Sequence, residues 1–132
     1  MLPTTMVDVL QGHRVLAFDL ETTGISTNSD KIVQIALIGA DTDGTPIHYE
    51  VLINPQRPIP FGASNVHGIY DSDVKGKPNF NHFAKEISDL MKGSVIVGHN
   101  ARKFDIPLLE NEFYRCGICL LYTSPSPRDT DK

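Results

Sequence analysis

The spacing of apolar residues alternates between strand and helix patterns along this chain, and the order in which it does so limits the folds open to it. Arg14 to Leu20 (Arg-Val-Leu-Ala-Phe-Asp-Leu) is a largely apolar run ending in acidic and turn residues, the pattern of a strand. Lys31 to Ala40 is rich in Ile, Val and Leu and makes a second strand. Asp41-Thr42-Asp43-Gly44 is a hairpin signal, with Asp-Gly suited to positive φ, and Ile47 to Ile53 alternates as a third strand. Short connections between the three imply an antiparallel meander. From Asn79 onward, Phe80, Phe83, Ile87, Leu90 and Met91 recur at helical spacing, with Asn79 placed to cap the start and Gly93 the end. Ser94 to Gly98 is a short buried strand reached through a helix, so it is expected to lie parallel to a neighbour. Phe104 to Tyr114 returns to helical spacing, with Pro107 tolerable only in the first turn and Gly117 a natural stop. The order βββ-α-β-α predicts an α/β fold: a mixed sheet of three antiparallel strands and then a parallel strand, with flanking helices.

Asn54 to Pro78, opened by Pro55, Pro58 and Pro60, is too irregular for one element; short helical turns fit Gly62–Val66 and Asp71–Lys75. With 132 residues the chain has room for one domain and its core, but not two. A hydrophobic content of 40% argues against disorder through most of it. No stretch reaches the apolar length that spans a bilayer, and the first residues lack the regions of a signal peptide, so no membrane partner and a cytoplasmic location are expected. The net charge of −4 is not that of a general nucleic-acid binder. It leaves open an enzyme whose carboxylates hold cations, because bound metals restore attraction for phosphate. Cys116 and Cys119 form a Cys-x-x-Cys pair, but zinc needs two more ligands and no second pair exists.

Asp19 and Glu21 lie two residues apart at the end of the first strand, so strand geometry puts both side chains on one face. Carboxylates held that close repel unless a cation joins them, and hard divalent metals favour such oxygen donors. A solvated strand end would carry the same residues. Thr22, Thr23 and Gly24 follow as a small-residue turn, suited to close approach of an anion or simply to reversing the chain. Asp105 follows the buried strand near a helix start, where the helix favours an ionised carboxylate. His99 and Asn100 could orient substrate or end the strand, and the loop residue His67 could contact a base, a phosphate or nothing but protein.

Three stretches in order, Phe18-Asp19-Leu20-Glu21-Thr22-Thr23-Gly24, Ile53-Asn54-Pro55 through Val66-His67-Gly68-Ile69, and Val97-Gly98-His99-Asn100 through Phe104-Asp105, resemble the DEDD superfamily of 3′–5′ exonucleases, in its epsilon-subunit-like proofreading branch. The resemblance covers nearly everything before Gly117. It implies a ribonuclease-H-like fold and hydrolysis of phosphodiesters from a 3′ end of single-stranded DNA with two divalent metal ions, Mg²⁺ or Mn²⁺. By motif position, Asp19 would touch both metals, Glu21 one of them and Asp105 the second. Leu20, Thr22, Thr23, Gly24 and His67 would hold the terminal nucleotide, with His99 and Asn100 beside them. RNA remains an alternative substrate, a DNA polymerase a possible partner, and a non-catalytic nucleic-acid-binding module an alternative role.

One departure stands out. The family's third motif supplies a histidine general base and a fourth aspartate; here no histidine follows His99, and the only acids beyond the Asp105 helix are Asp129 and Asp131. The string from Cys119 to Asp129 resembles a translated sequencing adapter. The expectation is therefore an incomplete exonuclease domain over residues 1–118, with its last strand and helix missing, and a non-native or disordered tail over 119–132. Such a chain would be an inactive or barely active fragment.

Overall fold

The computed structural model describes residues 12–98, 104–118 and 128–129. Three strands form the expected meander: β1 (Val15–Thr22), β2 (Ile32–Ala40) and β3 (Pro46–Leu52). β1 pairs antiparallel with β2, and β2 with β3. A fourth strand, β4 (Val95–Gly98), lies parallel to β1 on its other side, setting Val15 against Val95 and Ala17 against Val97. β5 (Arg128–Asp129) pairs in parallel with β4, giving the order β3-β2-β1-β4-β5. Those two residues belong to the segment 119–132 expected to be a tail; the rest of it lies outside the described residues. β1 is therefore central: its amino half, Val15–Ala17, is paired on both flanks, and its carboxyl end with Asp19 and Glu21 is held by β2. Gly39 makes the β1–β2 approach possible, since a β-carbon there would collide with the Val15 carbonyl.

Four helices complete the described fold: α1 (Phe61–His67), α2 (Asp71–Val74), α3 (Phe80–Met91) and α4 (Ile106–Arg115). α3 starts as expected, with the Asn79 side chain accepting a bond from the His82 amide at 3.3 Å. Pro107 falls in the first turn of α4, where it forfeits no intrahelical bond. The buried stripes of α3 (Phe80, Ala84, Ile87, Met91) and α4 (Leu108, Leu109, Phe113) share one core with Leu16, Phe18 and Leu20 of β1. Phe80 meets Phe113 edge to face at 5.1 Å, joining the two helices over the sheet. A smaller cluster of Val33, Ile59, Ile69 and Val74 holds α2 and the irregular segment against the end of β2.

The strand boundaries depart from the expected ones in one way that bears on function. β1 continues to Thr22 rather than stopping at Leu20, so Glu21 and Thr22 lie within the sheet. Pairing with β2 draws these polar residues into the strand, a case of neighbours overriding local propensity. The ladder also slips between Glu21 and Thr22: Glu21 faces Gln34 whereas Thr22 faces Ile32, a bulge that re-aims the chain where the acidic pair ends. No helix among the described residues is long and apolar enough to cross a membrane.

Candidate active site

Alternation along β1 separates its two faces. Leu16, Phe18 and Leu20 are buried in the core, whereas Asp19 is exposed and Glu21 half-buried on the opposite face. The carboxyl group of Glu21 is held above its ordinary value of 4.5, first by burial and then by the neighbouring charge of Asp19, with His67 pulling the other way. A pair of hard oxygen donors whose charges oppose each other is the chemistry that a small divalent cation relieves.

The loop after Glu21 is closed by its own side chains. Thr23 donates its hydroxyl to Asp30 Oδ1 at 2.7 Å and accepts from the Lys31 amide at 3.0 Å. Its own amide donates to the Lys31 carbonyl at 2.9 Å, while the Ser26 amide donates to Asp30 Oδ2 at 2.8 Å. Thr22 donates its hydroxyl to the Gly24 carbonyl at 2.7 Å. Gly24 is required by space, because an added β-carbon would stand 2.5 Å from the Asp30 carboxylate. The turn is thus a small, internally bonded unit, with the Thr23 amide already engaged.

His67, the last residue of α1, reaches the end of β1. Its Nδ1 accepts from the Ile69 amide at 3.1 Å, which leaves the proton on Nε2 to donate to the Thr22 carbonyl at 3.0 Å. Gly68 follows in the left-handed region at φ 75°, allowing the chain to leave the helix there. The histidine therefore ties α1 to the strand that bears the acids. Between them opens a cleft of about 610 Å³ whose walls include Leu20, Glu21, Thr22, His67 and Phe104, with Ile25 and Val66 almost fully exposed at its mouth. Such a cleft suits a flat, partly apolar group with a charged end near Glu21.

Asp105 precedes α4 and is 7% exposed. Among the described residues, no three His, Cys, Asp or Glu side chains gather closely enough to form a ready metal cage. Asp19 and Glu21 are brought together; Asp105 is not grouped with them. His99 and Asn100 lie outside the described residues. Cys116 is a free thiol pushed up by burial and by Glu112, the opposite of a reactive thiolate. Val66 and Phe104 stood in the motif stretches but were not read as cleft residues, and sequence patterns passed over Ile25 in the cleft and Glu112 of α4. The available signal for Glu112 was a carboxylate standing among Leu108, Leu109 and Phe113 on an apolar helix face.

Comparison with known proteins gives the family of the fold. The family profile described as Exonuclease matches residues 16–122. The chain belongs to the exonuclease family. It is 37% identical over 100 residues to the DNA polymerase III subunit epsilon of Treponema pallidum, spanning 76% of this chain and 46% of that one. It is 32% identical over 109 residues to the 3′-5′ exonuclease DinG of Bacillus subtilis, spanning 82% of this chain and 12% of that one. The chain thus spans about half the length of the epsilon subunits it matches, or less. Among solved structures, E. coli exonuclease I in complex with a dT13 oligonucleotide superposes with a TM-score of 0.71 at 27% identity, over 81% of this chain and 25% of that one. The ribonuclease-H-like sheet and the DEDD superfamily expected from the motifs are those of this exonuclease family.

Proposed function

We propose that this exonuclease domain removes nucleotides from the 3′ end of single-stranded DNA, with Asp19 and Glu21 holding divalent cations, Mg²⁺ or Mn²⁺. The observation that carries this reading is the acidic pair on one face of the central strand, beside a nucleotide-sized cleft. Bound cations supply charge neutralisation and a more acidic water for attack on phosphorus. The residues do the rest. Asp19 and Glu21 fix where the scissile phosphate can lie. The cleft between Thr22 and Val66 takes the terminal base and sugar, and His67 holds the Thr22 carbonyl in place. Asp105, buried at the entry to α4, is the third acid of the set.

The oligonucleotide bound by exonuclease I and the polymerase subunits among the relatives support DNA as substrate and a replicative DNA polymerase as partner, in the cytoplasm. These 132 residues hold no histidine after His99 to serve as the general base of the third motif, so turnover by this chain alone is low. The test is release of 3′ nucleotides from matched DNA and RNA oligonucleotides with Mn²⁺. The expected result is slow release that favours DNA and is abolished in Asp19→Asn. Preference for RNA would overturn the substrate, fast turnover the reading as a fragment, and release unaffected by Asp19→Asn the mechanism.

A further inference from the structure

Glu112 is 2% exposed, three residues before the end of α4 and on its otherwise apolar buried face. A carboxylate that deep is costly unless its oxygens are bonded and its charge is paired. Here both conditions are met, by Lys31 and Ile32 where the loop next to the acidic pair enters β2 and by Arg115 of the same helix. Oε2 accepts from the Ile32 amide at 2.9 Å, while Oε1 lies 3.5 Å from Lys31 Nζ and 3.2 Å from Arg115. The same helix holds the loop twice more, from Asn111 Nδ2 to the Thr27 carbonyl at 2.8 Å and from Arg115 to the Asn28 carbonyl at 2.9 Å.

The position of these bonds gives them their meaning. Ile32 is the residue opposite Thr22 at the bulge, where the β1–β2 ladder slips immediately after Glu21. A bulge disrupts the regular ladder, and Glu112 supplies the acceptor for the Ile32 amide. Lys31, beside it, is bonded through both its amide and its carbonyl to Thr23. From Glu112 the connections therefore run to Ile32 and Lys31, on to Thr23, and so to the wall of the cleft. We propose that Glu112, with Asn111 and Arg115, is a positioning device that holds the bulge and the loop 22–31 in the conformation that aims Glu21 and Thr22 at the terminal nucleotide. Glu112 acts through these residues and does not itself touch the substrate. The inference rests on the nucleotide-binding reading of the cleft.

The test measures Mn²⁺-dependent binding of thymidine 5′-monophosphate to the full chain by calorimetry, well below the melting temperature of every variant, with the Ile32 and Thr23 amide resonances followed by NMR. Glu112→Ala is expected to weaken binding about tenfold and to shift both amides, the effect of losing a charged acceptor at a buried amide. Glu112→Gln, which keeps an acceptor for Ile32, is expected to recover affinity to within about threefold. Unchanged affinity in folded Glu112→Ala, or no recovery in Glu112→Gln, overturns the proposal. Should Glu112→Ala not fold, Arg115→Met decides: it keeps the Ile32 bond, releases Asn28 and is expected to weaken binding about threefold, and unchanged binding refutes the device. Asp19→Asn separates the two claims. If it leaves Mn²⁺-dependent binding intact, the nucleotide reading fails; if it abolishes binding while Glu112→Ala does nothing, only the positioning role fails.

Discussion

The two faces of β1 are built from the same eight residues and do opposite work. Leu16, Phe18 and Leu20 point into the core beneath α3 and α4, while Asp19 and Glu21 point away from it. The first set is held by burial of apolar surface. The second rides on the backbone that the first set anchors, and its charges oppose each other. The strand thus spends its buried face on stability and leaves the other face free for chemistry. Substitutions on one face should move stability with little direct effect on metal binding, and on the other the reverse.

The largest effect is expected on the buried face. Phe18→Ala empties a site that is 4% exposed and should cost about 3–5 kcal/mol of stability, read from chemical or thermal unfolding. A loss below about 1 kcal/mol would mean the core tolerates a cavity there. Asp19→Asn should do the reverse, lowering Mn²⁺ affinity on the order of a hundredfold while shifting unfolding by under about 1 kcal/mol, as befits an exposed site. Gly24→Ala tests the loop that leaves the acidic end of β1. Its β-carbon meets the Asp30 carboxylate, so a loss of about 1–3 kcal/mol is expected, accompanied by weaker nucleotide binding.

The smallest effect sharpens the comparison most finely. Folding raises the affinity of Glu21 for its proton, so the folded state prefers the neutral carboxyl. The destabilisation it causes is absent below its ordinary value of 4.5 and sets in as pH rises through the raised value. Without metal, Glu21→Gln should therefore melt higher than wild type at neutral pH, by less than about 1 kcal/mol because solvent screens the site, with the difference vanishing under acid. An equal difference at every pH would place its origin outside this carboxylate.

The features of the molecule legible in the sequence are those set by short-range periodicity. The meander, the Asn79 cap, the Pro107 helix start and the same-face placement of Asp19 and Glu21 follow from residues a few positions apart. What escaped depends on contacts between distant residues. The bulge after Glu21 involves Glu112, 80 positions from the amide it accepts. The true end of β1 at Thr22 is decided by β2, not by the polar residues themselves, which locally read as a turn. His67 stood out in the sequence, but its engagement with Ile69 and Thr22, which turns it toward holding the strand, needed the fold of the intervening segment. Gly24 looked like a conformational glycine and proved to be a spatial one, because Asp30 folds back over it.

The most direct test of the central claim, that Asp19 and Glu21 form a metal-binding pair, is a Mn²⁺ titration of the full chain followed by electron paramagnetic resonance, alongside Asp19→Asn and Glu21→Gln. The expected result is saturable binding by the wild-type chain that each substitution weakens at least about tenfold, with the folded state of all three confirmed by their unfolding curves. Binding of equal strength in all three proteins would contradict it.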